Sequence, residues 1–104
     1  MPGNPAGELL EVDPRILRLP PTRSEGADPV KLHKQIAKYG KSTRGMPYPE
    51  VTRGANGELM INDGVTRATR VAKLLPGRMI MVEVTDNRPK LDLSGYPTIG
   101  DKLP

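Results

Sequence analysis

The sequence predicts an α+β domain: a small mixed β-sheet of about four strands with two main helices. Three observations carry this. Asn56-Gly57 stands between two short strand-like runs, and both residues accept the positive φ that a type I′ hairpin turn requires. The run Leu59-Met60-Ile61 meets Asn62-Asp63-Gly64 and gives way to helical spacing, with Val65, Ala68, Ala72 and Leu75 at steps of three, four and three. That is strand, tight turn, helix. Finally, Met79-Ile80-Met81-Val82-Glu83-Val84 sets Ile80, Val82 and Val84 on one face and methionines on much of the other, the pattern of a central strand.

Residues 1–14 hold three of the twelve prolines and few apolar anchors beyond Leu9, Leu10 and Val12, and read as a linker or arm. The domain proper is expected over 15–85. Arg15-Ile16-Leu17-Arg18-Leu19 alternates basic and apolar side chains, which predicts a short strand with one wet face, stopped by Pro20-Pro21. After the polar stretch from Thr22 to Ala27, which contains Arg23, Asp28 suits an N-cap, Pro29 the first helical position and Gly40 a C-terminal stop. Within that helix Val30, Leu32, Ile36, Ala37 and Tyr39 form the expected buried side. Lys31, Lys34, Lys38 and then Lys41 recur on another side, either as a solvated face or as a stripe that tracks phosphates. The loop from Gly40 to Pro49 adds Arg44 as a further basic candidate. Strands follow at Glu50 to Arg53 and Glu58 to Ile61, then the second helix to about Leu75, where Pro76-Gly77 ends it. Strand, helix, strand within ~25 residues is a compact crossover, right-handed if its strands are parallel. Residues 86–104 are a proline-punctuated tail that wraps the domain or binds a partner.

Composition bounds the chemistry. A chain of 104 residues supports one small domain. It has no cysteine, so neither disulfides nor thiolate metal sites contribute. No apolar segment approaches the ~20 residues needed to cross a bilayer, and the N-terminus has no signal-peptide apolar region. Three tyrosines are the whole aromatic content, so the core must be aliphatic and stacking platforms for single strands are nearly absent. The net charge of +4 permits a polyanionic partner.

The strand-turn-helix holds the most concentrated polar chemistry. Asp63 suits the N-cap of the second helix, and Gly64 permits close backbone approach. Arg67 and Arg70 fall in the first two turns, where the helix dipole disfavours cations by about 0.3–1 kcal/mol each. An anion held at the helix N-terminus reverses that sign, because N–H groups and guanidinium forks then converge on one negative charge. Gly64, Val65, Thr66, Arg67 and Arg70 are therefore the candidate phosphate ligands, with two solvated arginines as the alternative.

The hairpin ending in Gly57-Glu58-Leu59-Met60-Ile61-Asn62-Asp63-Gly64, followed by Val65-Thr66-Arg67, a helix with Ala72, and Ile80 to Val84, resembles the ParB/sulfiredoxin superfamily. The upstream helix from Asp28 to Tyr39 and the Met46-Pro47 loop leading to Val51 resemble the same family's preceding elements, so the likeness covers roughly residues 10 to 85. In that family the turn holds nucleotide phosphates through backbone N–H groups and an arginine. Gly64 and Arg67 match by position, Thr66 falls where His or Arg is usual, and Arg70 where a small residue is typical. Val65 stands where sulfiredoxins carry their reactive cysteine, which excludes sulfinic-acid reduction. The DNA-binding and dimerisation domains that follow this fold in partition proteins have no room in residues 85 to 104. The string from Met60 to Arg70 is similar to the ParB-like nuclease domains that end bacterial polymorphic toxins.

That resemblance implies an antibacterial effector domain acting on nucleic acid, most readily a DNase. It further implies part of a larger secreted polypeptide, made in the bacterial cytoplasm and delivered by a secretion system into a target cell's cytoplasm. An acidic cognate immunity protein is the implied partner. Phosphodiester hydrolysis must hold phosphate, stabilise developing charge and activate water. Gly64, Thr66, Arg67 and Arg70 suit the first two tasks. For the third, Asp63 is the nearest carboxylate, as general base or as ligand of a divalent metal ion such as Mg, with a plain N-cap as its alternative. His33, the one imidazole, is a second catalytic candidate or simply a packed or surface histidine. Glu58, Glu83 and Asp86 are carboxylates that no spacing binds together. Lys31, Lys34, Lys38, Lys41 and Arg44 are the candidate nucleic-acid contacts. A nucleotide-hydrolysing enzyme using the same cradle and a non-enzymatic DNA-binding module are the alternative functions.

Overall fold

A computed structural model describes residues 7–104. Among these, four strands form one mixed sheet beside two helices, the expected α+β class. They are β1 (Glu8–Val12), α1 (Pro29–Tyr39), β2 (Glu50–Arg53), β3 (Leu59–Asp63), α2 (Val65–Leu74) and β4 (Ile80–Asn87). The spatial order is β1-β4-β2-β3, with β4 antiparallel to β1 and parallel to β2, and β2 antiparallel to β3. Ile80, Val82 and Val84 all face the core from β4, which is central as its pattern requires. At the hairpin, Asn56 has φ 62° and Gly57 φ 75°, the two positive values that Asn-Gly supplies cheaply.

The core is aliphatic. Val51, Leu59, Ile61, Val82 and Val84 from the sheet meet Ala68, Val71 and Ala72 from α2, with Leu17, Leu19 and Ile99 closing the edges. The small alanines let the α2 backbone lie close to the sheet. α1 packs chiefly on α2. Only its Leu32 is buried, while Val30 and Tyr39 are 64% and 43% exposed, so the buried side expected for this helix is much narrower than its periodicity suggests. A helix resting on another helix makes contact along one ridge, not across a broad face.

Three expectations are corrected. Of the presumed linker or arm over 1–14, Glu8–Val12 is a strand, and residues 1–6 lie outside the described ones. Leu10 and Val12 sit opposite Val82 and Ile80, and Arg53 clasps Glu8 at 3.0 and 3.2 Å. The predicted strand from Arg15 to Leu19 is instead a 3-10 turn, Pro14–Ile16, capped by the Asp13 carboxylate. Beyond it the alternation survives: Leu17 and Leu19 are buried while Arg18 makes single bridges to Met60 and Thr98. Lastly, α2 does not connect parallel strands. β3 and β4 run in opposite directions with β2 between them, so the handedness rule for parallel crossovers does not apply.

The tail after β4 lies against the domain. Ala55 donates to the Leu91 carbonyl at 2.8 Å, Leu19 to Pro97 at 2.7 Å and Ile99 to Leu17 at 2.9 Å. Leu93 and Ile99 are buried. A Cβ on Gly54 would stand 2.7 Å from the Leu91 carbonyl and 2.8 Å from Leu93, so the residue's missing side chain is what admits the tail. No helix among the described residues is long and apolar enough to cross a membrane.

Candidate phosphate-binding groove

The turn from β3 into α2 is built around Gly64, whose φ of 96° is left-handed and disfavoured for side-chain-bearing residues. A Cβ there would also press to 2.8 Å from the Arg67 guanidinium and 3.1 Å from Pro49. Gly64, not Asp63, occupies the N-cap, and no side chain caps α2. This corrects the capping role expected of Asp63. That residue ends β3, one position before the cap, and its carboxylate accepts from Arg67 Nη2 at 3.2 Å. The first-turn N–H groups of Val65, Thr66 and Arg67 thus keep no side-chain acceptor, which is how a helix N-terminus presents itself to an anion.

Facing this turn is α1. Its side chains Lys31, Lys34 and Lys38, with Gln35 among them, form the opposite wall of a groove of about 670 Å³. Arg23 and Asp28 also line it, and Asp63, Gly64, Val65, Thr66 and Arg67 form the facing wall. Five cationic side chains, Arg23, Lys31, Lys34, Lys38 and Arg67, therefore line the groove against two carboxylates. Neither carboxylate is free. Asp28 accepts from the N–H groups of Val30 at 2.8 Å and Lys31 at 3.2 Å. Those backbone bonds, led by Lys31, hold its pKa below the ordinary aspartate value. Asp63 is engaged by Arg67. The lysine row is solvent-exposed, yet it also shares one groove with the α2 N-terminus, and that convergence was invisible in either stretch alone.

The remaining candidates are elsewhere. Arg70, expected in the cradle and as a catalytic group, is 2% exposed. Its Nη1 donates to the carbonyls of Gly40 at 2.7 Å and Ser42 at 2.8 Å, and Nη2 lies 3.6 Å from the Met46 sulfur. Its guanidinium packs 5.3 Å from the Tyr39 ring centroid. Burial of the cation pushes its pKa down, opposed weakly by Tyr39. The guanidinium is committed to the loop after α1 and does not line the groove, so Arg70 is a strut and not a groove ligand. His33 is exposed and absent from the groove lining. Lys41 lies beyond the end of α1, and Arg44 lines a smaller neighbouring cavity. Glu58 is paired with Arg18 and Asp86 with Arg88. Among the described residues no three His, Asp or Glu side chains gather.

The groove also contains residues that the sequence did not single out for it, notably Thr22, Gln35, Tyr39 and Asn62. Gln35 follows Lys31 by four and precedes Lys38 by three, so helical spacing alone puts it in the lysine row. Nothing local marks Thr22 or Asn62. Comparison of the chain with protein-family models, curated proteins and solved structures returns no match, so the groove's own residues are the basis for its function.

Proposed function

We propose that this domain binds the phosphate backbone of a nucleic acid in the groove between α1 and the start of α2, and cleaves it as a nuclease of the antibacterial-toxin kind. The observation that carries the binding reading is the convergence of five cationic side chains and an uncapped helix N-terminus on one groove. Lys31, Lys34 and Lys38 succeed one another at helical spacing of about 5–6 Å, so a linear polyanion meets one charge after another. Arg67 and the N–H groups of α2 then fix one phosphate and stabilise charge developing on it.

The Asp63–Arg67 pair supplies a route to catalysis. A phosphate that takes the Arg67 guanidinium competes with Asp63 and frees its carboxylate to accept a proton from water. The water oxygen forms the new P–O bond, the opposite P–O bond breaks, and the departing oxygen takes a proton from solvent. No step is assigned to a metal ion. Asp28 is tied to backbone N–H groups, which leaves Asp63, once released by Arg67, as the groove carboxylate that would hold a hard cation such as Mg together with phosphate oxygens. A second reading, a free nucleotide in the same groove, is favoured by the groove volume of about 670 Å³, which lies within the ~300–1,000 Å³ of small-molecule sites. On the toxin reading, an acidic immunity protein neutralises the domain by covering the basic groove.

Incubating purified protein with plasmid DNA, total RNA and labelled nucleoside triphosphates, with and without divalent cations, tests these readings. The expected result is cleaved nucleic acid, lost in Arg67→Ala, and binding that weakens with salt. Replacing Lys31, Lys34 and Lys38 by Gln removes three phosphate contacts and flattens the logarithmic salt slope by about 2 for a single strand. Intact nucleic acid with consumed triphosphate would establish the nucleotide reading. Salt-sensitive binding without turnover would leave a binding module.

A further inference from the structure

Beside the groove a second cavity of about 160 Å³ opens between α1, α2 and the loop around Met46, sharing Gln35, Tyr39 and Arg67 with it. Three arginines line this cavity, Arg44, Arg67 and Arg70, and among the described residues no carboxylate does. Arg70 is almost wholly buried, and its partners are carbonyls and a sulfur, none of which carries the opposite charge. Its Nε–H has no partner at all. The Nε–H of Arg67 is likewise buried without an acceptor. A buried guanidinium lacking both a counter-ion and one of its hydrogen bonds is an unfinished arrangement. An oxyanion in the cavity supplies the opposite charge that Arg70 lacks, which water does not.

We propose that this cavity is a subsite for a phosphate monoester, supplied by the terminal phosphate of a strand whose backbone lies in the adjoining groove. The inference rests on the nucleic-acid reading of that groove. At about 160 Å³ against about 670 Å³ for the groove, the cavity's size suits a single phosphate group. Gln35 lines the same cavity, and its side-chain oxygen is also buried and unpartnered. A monoester, whose last proton has a pKa of about 6, brings close to two negative charges to three guanidinium groups, and an internal diester brings one.

The test compares single-stranded oligonucleotides ending in 5′-phosphate, 3′-phosphate or hydroxyl groups alone, by fluorescence anisotropy, with wild type and Arg44→Gln. Arg44 is exposed and its side chain supports no other element, so this variant folds; Arg70→Lys is the second variant. One phosphorylated end is expected to bind about tenfold tighter than the hydroxyl end, the scale of one charge-assisted bond, and the ratio falls to about 1 in Arg44→Gln. Inorganic phosphate is expected to raise the Tm of wild type more than that of either variant at matched ionic strength. Equal binding of phosphorylated and hydroxyl ends, with no phosphate-specific rise in Tm, overturns the subsite and leaves the groove reading standing. No oligonucleotide binding, but a rise in Tm abolished by Arg44→Gln, supports a site for free phosphate and overturns the strand terminus as its source.

Discussion

Arg70 ties α2 to the loop that follows α1 by donating one nitrogen to two carbonyls, Gly40 and Ser42. An Arg70→Met substitution keeps the apolar stem and removes the fork, leaving those acceptors in the loop without a donor. Stability is expected to fall by about 1–3 kcal/mol, read from urea unfolding followed by circular dichroism, and a variant as stable as wild type would deny Arg70 its strut role. The neighbouring Arg67 is held differently, by a 3.2 Å contact to the more exposed Asp63. A pair of this kind is weak enough to be exchanged for a ligand phosphate. The two arginines look alike in the sequence, three positions apart, yet one is buried as a brace and the other waits at the groove.

At the scale of the element, the segment after β4 is part of the core. Leu93 is fully buried under Gly54, and Leu93→Ala is expected to lower stability by about 2–5 kcal/mol. A tail serving only a partner would give no change in the isolated protein, so thermal unfolding of this one variant separates the two. Elements whose reasons are local were legible in the sequence. Asn56-Gly57 announces its hairpin, Asp28-Pro29 starts α1, and the spacing of Ala68 and Ala72 orients α2. Elements whose reasons are distant were not. β1 looks like an arm because its partner strand lies far along the chain, and Arg18 bridges Met60 on one side and Thr98 on the other. The lysine row was readable, but the helix N-terminus that it faces depends on how α1 packs against α2. Asp63 was misplaced by one residue because its neighbour, in a left-handed conformation, takes the cap position instead.

For the molecule as a whole, the carboxylates that anchor its edges set its behaviour in acid. Glu8 is held below the ordinary range chiefly by the Arg53 hydrogen bond, Asp28 by the N–H groups of Lys31 and Val30, and Asp101 by Thr98. A carboxylate lowered on folding contributes stability that is present above its unfolded pKa, about 4, and is lost as pH falls through the lower folded value. Tm is therefore expected to stay level from neutral pH to about 5 and to drop below about 4. Asp28→Ala, already less stable at pH 7, should show a shallower acid decline, and parallel declines would remove Asp28 from the account. The sheet order has a consequence of another kind, for synthesis. Among the described residues β1 pairs with β4 alone, about 70 residues later, and Leu17 and Leu19 are capped by Pro97 and Ile99. On a ribosome adding about 5–20 residues per second, the first strand waits roughly 4–14 s for its neighbour. During that interval Leu10 and Val12 have no sheet to join, so a chaperone that shields apolar nascent chain has its natural substrate in the β1 segment.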